Sequence, residues 1–275
     1  MTTSADTHIV APTSLLDVAH AAGVVTISFA RPEARNALTD EMTEGVIDVL
    51  RQTAEDRSVR VIVLRGHGGV FCAGGDLKGF RANMQGNQSR ADVAAMNRRF
   101  GALMEAVNTQ PQVVIVLVEG AAIGGGLGLA CVGDVTLTTR DAKFQLTETR
   151  LGIPPAQIAP FVVARVGLTA ARRIMLTGAS FDGATARSIG IAHESVASAA
   201  DLQARCDEII ADVLMCGPYA NAVTKSILMA AQAMPLDDAL DFAAKGFADC
   251  MLSDEAKSGI QAFIDKRSPR WVDDA

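Results

Sequence analysis

Aromatic side chains are scarce in this sequence. Its 275 residues include 10 Phe, one Tyr and one Trp, which together make up 4% of the chain, whereas hydrophobic residues as a class make up 49%. A core of that composition has to be built from Ala, Val, Ile, Leu and Met. The length suits one large domain with an appendage.

An excess of positive charge is also missing. The chain carries 25 Lys and Arg against 31 Asp and Glu, for a net charge of −6. Such a balance excludes the electrostatic footprint of a nucleic-acid or anionic-membrane binder. An anionic ligand must therefore be held by a local group of cations.

Long apolar runs, signal sequences and metal motifs are absent too. The densest apolar run, Val113–Val118, is too short to cross a bilayer. The first residues lack the basic and then apolar layout of a signal peptide. The five cysteines form no CxxC pair and the four histidines no HExxH set. We expect a cytoplasmic protein with reduced thiols, no metal site and no membrane or nucleic-acid partner.

Several catalytic motifs can be excluded directly. There is no GxxxxGK[ST] loop and no GxSxG elbow, and residue 129 is a leucine where GxGxxG needs a glycine. Cys72 has only His67 nearby in sequence. We interpret Cys72 as a packed thiol rather than a nucleophile.

Strand and helix patterns alternate along the first part of the chain. Residues 15–19 and 24–29 predict a β-hairpin, and residues 61–64, 113–118, 134–139 and 143–146 predict further strands. Helices are predicted from Thr39 or Asp40 to about Glu55 and from about Ala91 to Asn108, with a mobile loop over residues 79–90. Alternation of this kind favours an α/β domain with mostly parallel strands.

The second part of the chain is helical. Helices are predicted near residues 158–166, 168–177, 183–189, 200–215, 218–232, 236–250 and 254–267, with an extended piece at 190–196. We therefore divide the chain into a flexible leader (1–13), an α/β core with the active site (14–200) and a C-terminal helical oligomerisation subdomain (201–275).

Two predicted strands end in glycine clusters, at residues 74–75 and 124–126. Ligands gather at the carboxyl ends of parallel strands, and glycines there let backbone N–H groups approach a ligand without obstruction. Two such donors on one oxygen form an oxyanion hole, in which each contributes ~3 kcal/mol to the transition state. The alternative is that these glycines only permit tight turns and close packing.

Five motifs in a fixed order resemble the enoyl-CoA hydratase/isomerase (crotonase) superfamily. They are RPEARNAL (31–38), FCAGGDL (71–77), GAAIGGG (120–126), FQLTETRLG (144–152) and AFIDKR (262–267). The resemblance covers about residues 14–270. It implies a crotonase-like α/β fold of repeated ββα units with a C-terminal helical subdomain, and an acyl-CoA thioester as substrate.

The resemblance also assigns roles to individual positions. Gly75 and Gly125 fall where the family places its two oxyanion-hole N–H groups, and Glu148 falls on its second catalytic glutamate. The neighbouring Ala73, Asp76, Leu77 and Gly124 are expected to contact substrate, and Asp76 also to cap the next helix. The family's first catalytic glutamate aligns with Gly128, which has no carboxylate.

The glycine at position 128 leaves the reaction open. One carboxylate suffices to move a proton along an enolate, which favours an isomerase or a decarboxylase using Glu148 alone. Residues 146–162, however, resemble bacterial glutaconyl-CoA-type hydratases, which favours hydration of a 2-enoyl-CoA and suggests a branched or glutaconyl-type acyl group. Arg150 would then meet a second substrate carboxylate, unless it forms a surface ion pair. A non-catalytic acyl-CoA-binding protein is the third reading.

The resemblance further implies how coenzyme A is held. Arg31 and Arg35 would meet the pantetheine or the phosphates, and Lys266 would reach the nucleotide end, often in a neighbouring subunit. Taken alone, Lys266 is a solvated helix end. Family members form trimers, commonly paired into hexamers. Coenzyme A is part of the substrate, so no separate cofactor is expected.

Overall fold

The chain begins with a β-hairpin. The computed structural model describes residues 9–77, 79 and 89–273. Strands β1 (Leu16–Ala21) and β2 (Val24–Phe29) pair antiparallel across a turn in which Ala22 and Gly23 have φ of 48° and 71°. The predicted hairpin is confirmed, but β1 ends two residues later than expected because the turn uses only Ala22 and Gly23.

Parallel strands extend this hairpin into a central sheet. In the described residues the sheet has the order β1-β2-β3-β4-β6-β9, and its further members are β3 (Val61–Gly66), β4 (Val113–Val118), β6 (Val135–Thr139) and β9 (Glu194–Val196). The strands β2, β3, β4, β6 and β9 pair parallel. The carboxyl ends of β3 and β4 therefore lie side by side.

A second, small sheet lies beyond those carboxyl ends. It contains β5 (Ala121–Ile123), β7 (Lys143–Gln145) and β8 (Ser180–Phe181). A long strand, a short strand and a helix follow one another repeatedly, as in β4, β5 and the helix at Gly125. The mixed α/β fold of repeated ββα units is confirmed.

Helices cover both faces of the sheet and form the end of the chain. Their bounds are α1 (Asp40–Ala54), α2 (Arg90–Thr109), α3 (Gly125–Val132), α4 (Ala159–Thr177), α5 (Gly183–Ser188), α6 (Ala199–Leu214), α7 (Pro218–Ala233), α8 (Leu236–Leu252), α9 (Asp254–Ile264) and α10 (Arg270–Asp273). Most lie within two residues of the predicted ranges. The two helices predicted at 158–166 and 168–177 are the halves of α4, which is broken at Gly167 (φ 72°, ψ 163°).

Some predicted features differ from the structure or lie outside its described part. The predicted loop at 79–90 falls almost wholly on residues that are not described, and α10 was not predicted. In the predicted leader, the backbone of Val10 exchanges hydrogen bonds of 3.2 and 3.3 Å with the side chain of Gln52 on α1. Val10, within the predicted leader, is thus hydrogen-bonded to the first helix of the core.

Alternate side chains of the central strands fill two apolar layers. Ile62 and Leu64 face a cluster with α1, α2 and α3, whereas Val61 and Val63 face Leu202 and Cys206 of α6. The predicted boundary after residue 200 assigns α6 to the C-terminal subdomain, yet α6 forms one side of the core. No helix in the described ranges is long and apolar enough to cross a membrane.

Candidate active site

The two glycine segments meet at the edge between the sheets. Cys72 pairs with Ala122 in a parallel bridge, with the Cys72 N–H bonded to the Ala121 carbonyl and the Ile123 N–H bonded to the Cys72 carbonyl, both at 2.9 Å. The glycine clusters that are far apart in sequence therefore become neighbours.

A second segment fixes Gly75 from the opposite side. The Leu38 N–H bonds to the Gly74 carbonyl at 2.7 Å, and the Asp76 N–H bonds to the Leu38 carbonyl at 2.9 Å. In this parallel pairing the N–H of Gly75 points away from Leu38. It finds no acceptor in the described part of the chain.

Gly125 supplies a second unpaired donor. It is the first residue of α3, so its N–H has no partner within the helix, and none is found elsewhere among the described residues. The helix dipole adds partial positive charge at the same point. Gly75 and Gly125 line one cavity.

Side chains at positions 124 and 125 would collide with atoms that line the cavity. Gly124 has φ of 52°, and an added Cβ would lie 2.9 Å from Oε1 of Glu148. A Cβ on Gly125 would lie 2.6 Å from Cζ of Phe100. Tight turns and close packing therefore account for these two glycines as well as an oxyanion hole does.

Glu148 is a titratable group of this cavity, and its burial raises its pKa. It begins a 3₁₀ turn (Glu148–Leu151) after β7, and its Oε2 is buried with no hydrogen-bond partner in the described residues. Burial raises the pKa of Glu148, and nearby backbone N–H groups of Glu148 and Thr147 lower it to a smaller extent. A carboxyl group with a raised pKa is suited to proton transfer.

The cavity has a volume of about 480 Å³, which is in the range of small-molecule sites. Its described lining includes Leu38, Phe100, Ile158, Ala73, Asp76, Leu77, Gly124, Asn97, Gln157 and Glu148. Four predicted contact residues, Ala73, Asp76, Leu77 and Gly124, thus lie together with the predicted catalytic group. Most of the residues that follow Asp76 lie outside the described part of the chain, so its role as a helix cap stays a prediction.

The predicted cations do not line this cavity. Arg31 forms a 2.9 Å ion pair with Asp76 and donates to the Ala37 carbonyl at 3.1 Å, so it holds the segment around Leu38 in place. Arg35 is exposed, and its carbonyl accepts from the Ala73 N–H at 3.0 Å.

Two further predicted contacts lie elsewhere in the structure. Arg150 packs along Gly178 at the end of α4, where an added Cβ would lie 2.8 Å from Arg150 Nε. In the described residues Arg150 forms no ion pair. It also does not line the cavity, so it is not positioned to meet a substrate carboxylate there. Lys266 follows α9 in an exposed position with φ of 54°.

Cys72 is excluded as a nucleophile. Its side chain is fully buried, and burial raises the pKa of the thiol to about 12. An added Cβ on Gly126 would lie 2.6 Å from the Cys72 carbonyl, so the residue is a packing partner of α3. No cluster of metal-ligating side chains occurs in the described ranges.

Phe100 and Ile158 are among the cavity residues that were not predicted. Phe100 fits the helical apolar spacing of α2, which made it look like an ordinary core residue. Ile158 follows Pro154 and Pro155 in a motif segment, but nothing in that pattern indicates a cavity wall. Both depend on tertiary packing against α3.

Comparison with known proteins extends this picture. A family model described as enoyl-CoA hydratase/isomerase matches residues 19–274. The mitochondrial enoyl-CoA hydratase domain-containing protein 2 of Bos taurus is 32% identical over 257 residues, covering 91% of this chain and 84% of that protein.

Solved structures are similar over nearly the whole chain. AtuE of Pseudomonas aeruginosa is 45% identical with a TM-score of 0.90, and the match covers 94% of this chain and 100% of that one. An enoyl-CoA hydratase/isomerase of Marinobacter aquaeolei is 38% identical with a TM-score of 0.91, at the same coverage. Together with the two glycine loops, these matches show that the chain belongs to the enoyl-CoA hydratase/isomerase family of the crotonase superfamily.

Proposed function

We propose that this protein is an enoyl-CoA hydratase, which adds water to the double bond of a 2-enoyl-CoA thioester. The observation that carries the proposal is the buried, unpaired Oε2 of Glu148 in the cavity that Gly75 and Gly125 also line. An anion-stabilising pair of N–H groups next to a proton-transfer group is the equipment that enolate chemistry needs.

The residues divide the reaction between them. The N–H groups of Gly75 and Gly125 donate to the thioester oxygen and stabilise the negative charge that develops there. Glu148 takes a proton from water as the water oxygen bonds to C3, which gives the enolate, and then returns a proton to C2. Because position 128 is a glycine, Glu148 performs both transfers.

An isomerase or decarboxylase is the second candidate. Gly128 favours it, because a site with one carboxylate can protonate an enolate without holding a water. A non-catalytic acyl-CoA-binding protein is the third candidate, and the unpaired carboxylate of Glu148 argues against it, since a buried unpaired carboxylate is costly to keep.

The acyl group that we propose is branched or glutaconyl-type, on the resemblance of residues 146–162. Arg150 lies away from the cavity, and the described part of the wall has no basic side chain. The polar groups it does offer include the amides of Gln157 and Asn97, with Gln157 Nε2 donating to Asn97 Oδ1 at 3.1 Å. We propose these amides as the contacts for a second substrate carboxylate.

The remaining parts of the proposal rest on the resemblance. Arg35 and Lys266 meet the phosphates of coenzyme A, which enters as part of the substrate, and no other cofactor takes part. The protein works as a trimer or a pair of trimers in the cytoplasm, where its five thiols, all free in the structure, stay reduced.

The test is incubation with a panel of 2-enoyl-CoA thioesters in heavy-oxygen water, followed by mass spectrometry of the products. Hydration incorporates the heavy oxygen, whereas double-bond migration without it would support the isomerase. Glu148→Gln should reduce turnover at least ~10²-fold, because it removes the proton-transfer group. The control is Glu44→Gln, at an exposed position on α1 outside the cavity. Full activity of Glu148→Gln would contradict the assignment.

A further inference from the structure

Ile158 occupies the space in front of Gly128. Gly128 is buried within α3, and a Cβ added there would lie 2.5 Å from Cγ2 of Ile158, 3.1 Å from its Cβ and 3.3 Å from Sδ of Met104. A side chain at position 128 would therefore collide with Ile158. The apolar side chain of Ile158 occupies the space that a carboxylate side chain at position 128 would enter.

The same isoleucine is part of the cavity wall. Ile158 is 3% exposed and lines the cavity together with Gly124, Gly125 and Glu148. One side of Ile158 thus contacts α3, and another side meets the space where the acyl group has to lie.

The backbone around Ile158 holds this side chain in place. Ile158 is the residue before α4, and its carbonyl accepts from the Val162 N–H at 3.0 Å. The preceding Pro154 and Pro155 restrict the chain, and the Pro155 carbonyl accepts from the Ala159 N–H at 3.0 Å. A fixed backbone and a packed side chain make a rigid wall rather than a movable one.

We propose that Ile158 is a specificity-determining residue that limits the length and bulk of the acyl group. This inference rests on the proposed acyl-CoA substrate, but not on which reaction follows binding. In the proposed function Gly75, Gly125 and Glu148 act on the thioester end, and Ile158 forms another part of the wall of the same cavity. A hydrophobic wall of this kind discriminates ~10–200-fold per methylene group.

The experiment is calorimetric titration of wild type, Ile158→Ala and Ile158→Val with butyryl-, hexanoyl- and octanoyl-CoA. These saturated thioesters cannot be hydrated, so binding is measured without turnover. Ile158→Ala opens space next to Gly128 and should shift the ratio of affinities toward the longer chains by about tenfold or more. Ile158→Val removes less of the side chain, so it should shift the ratio of affinities in the same direction by a smaller factor.

Ile174→Ala is the matched control. Ile174 lies on α4, is 4% exposed and does not line the cavity. The same truncation there should lower stability but leave the chain-length ratio unchanged.

The outcomes separate the inference from the proposed function. An unchanged ratio in both Ile158 variants, or an equal shift in Ile174→Ala, would overturn the role of Ile158. Failure of the wild type to bind any of the thioesters would overturn the inference and the proposed substrate together. A shifted ratio in a protein that incorporates no heavy oxygen would support the role of Ile158 and remove only the hydratase.

Discussion

Glu148, the proposed proton-transfer group, is a buried carboxyl group whose ionisation affects stability. Burial raises its pKa, so the folded protein binds this proton more tightly than the unfolded chain does. That preference favours folding at pH values below the ordinary glutamate pKa of 4.5 and is lost as the pH rises through the raised value. Above it, the ionised carboxylate is buried at a cost to stability.

Glu148→Gln should therefore raise the melting temperature at pH 8, and the gain should shrink toward pH 4. The amide has nearly the same shape and carries no charge to desolvate. Scanning calorimetry of both proteins across this range measures the difference, with Glu44→Gln as the exposed control. A gain that is constant with pH would show that ionisation is not its cause.

Gly128 and Ile158 should behave as a coupled pair. Gly128→Ala alone should lower the free energy of unfolding by about 1–3 kcal/mol, because the added methyl overpacks a site whose nearest atom lies 2.5 Å away. In Ile158→Ala the space exists, so adding Gly128→Ala should cost less there.

Urea unfolding of the two single variants and the double variant measures this coupling. Strictly additive effects would mean that Ile158 does not fill the space at 128.

At the residue scale, the sequence predicted several of the positions that line the cavity around Glu148 but not the side chain that lies against Gly128. The motif order was enough to place Gly75, Gly125 and Glu148 in one cavity. Ile158 could not be predicted, because its contact with Gly128 joins two segments thirty residues apart and leaves no periodic signal. Arg150 shows the reverse case: its charge suited a role, but its position against Gly178, at the end of α4, did not.

At the level of helices and strands, the buried side chain of Lys225 attaches helix α7 to the core. Nζ of Lys225 lies 2.5 Å from Oδ2 of Asp134 and donates to the carbonyls of Gln110 and Gln112 at 2.7 and 2.6 Å. The side chain of Lys225 is 9% exposed. The acceptors lie near the starts of β4 and β6, so this contact ties the C-terminal helices to the sheet.

Lys225→Met should lower the free energy of unfolding by about 3 kcal/mol, because it leaves a carboxylate and two carbonyls without their shared donor. The control is Lys245→Met on the exposed side of α8, expected to change stability by less than about 0.5 kcal/mol. Equal effects in urea unfolding would show that Lys225 does not fasten α7.

The sequence predicted whether a segment forms a helix or a strand where the apolar periodicity was strong. It did not predict which helices and strands pack against each other. The apolar runs at 61–64 and 113–118 could only be buried strands, and the break in α4 at Gly167 was visible as two helices. The sequence did not predict that α6 packs on the sheet, because Leu202 and Cys206 fit the apolar stripe that any helix can have.

On the scale of the whole molecule, the last helices leave large apolar side chains in water. Leu236, Phe247, Leu252 and Phe263 are 73, 68, 75 and 85% exposed in the single chain. Apolar surface of this extent is typical of an interface between subunits. It supports the proposed trimer or hexamer.

Phe263→Ser should weaken that assembly without unfolding the chain, since the side chain makes little contact within one subunit. Sedimentation velocity should show a shift to smaller species, and Val10→Ser, at another exposed apolar position (62%), should leave the distribution unchanged. An unaltered distribution in Phe263→Ser would place the interface elsewhere.

In the proposed function, Gly75 and Gly125 stabilise an enolate whose proton Glu148 transfers. The most direct measurement is exchange of the C2 protons of butyryl-CoA in heavy water, followed by mass spectrometry, because it needs neither hydration nor isomerisation. The wild type should incorporate deuterium, and the rate should be at least ~10²-fold lower in Glu148→Gln. Equal exchange in the two proteins, or none in the wild type, would contradict it.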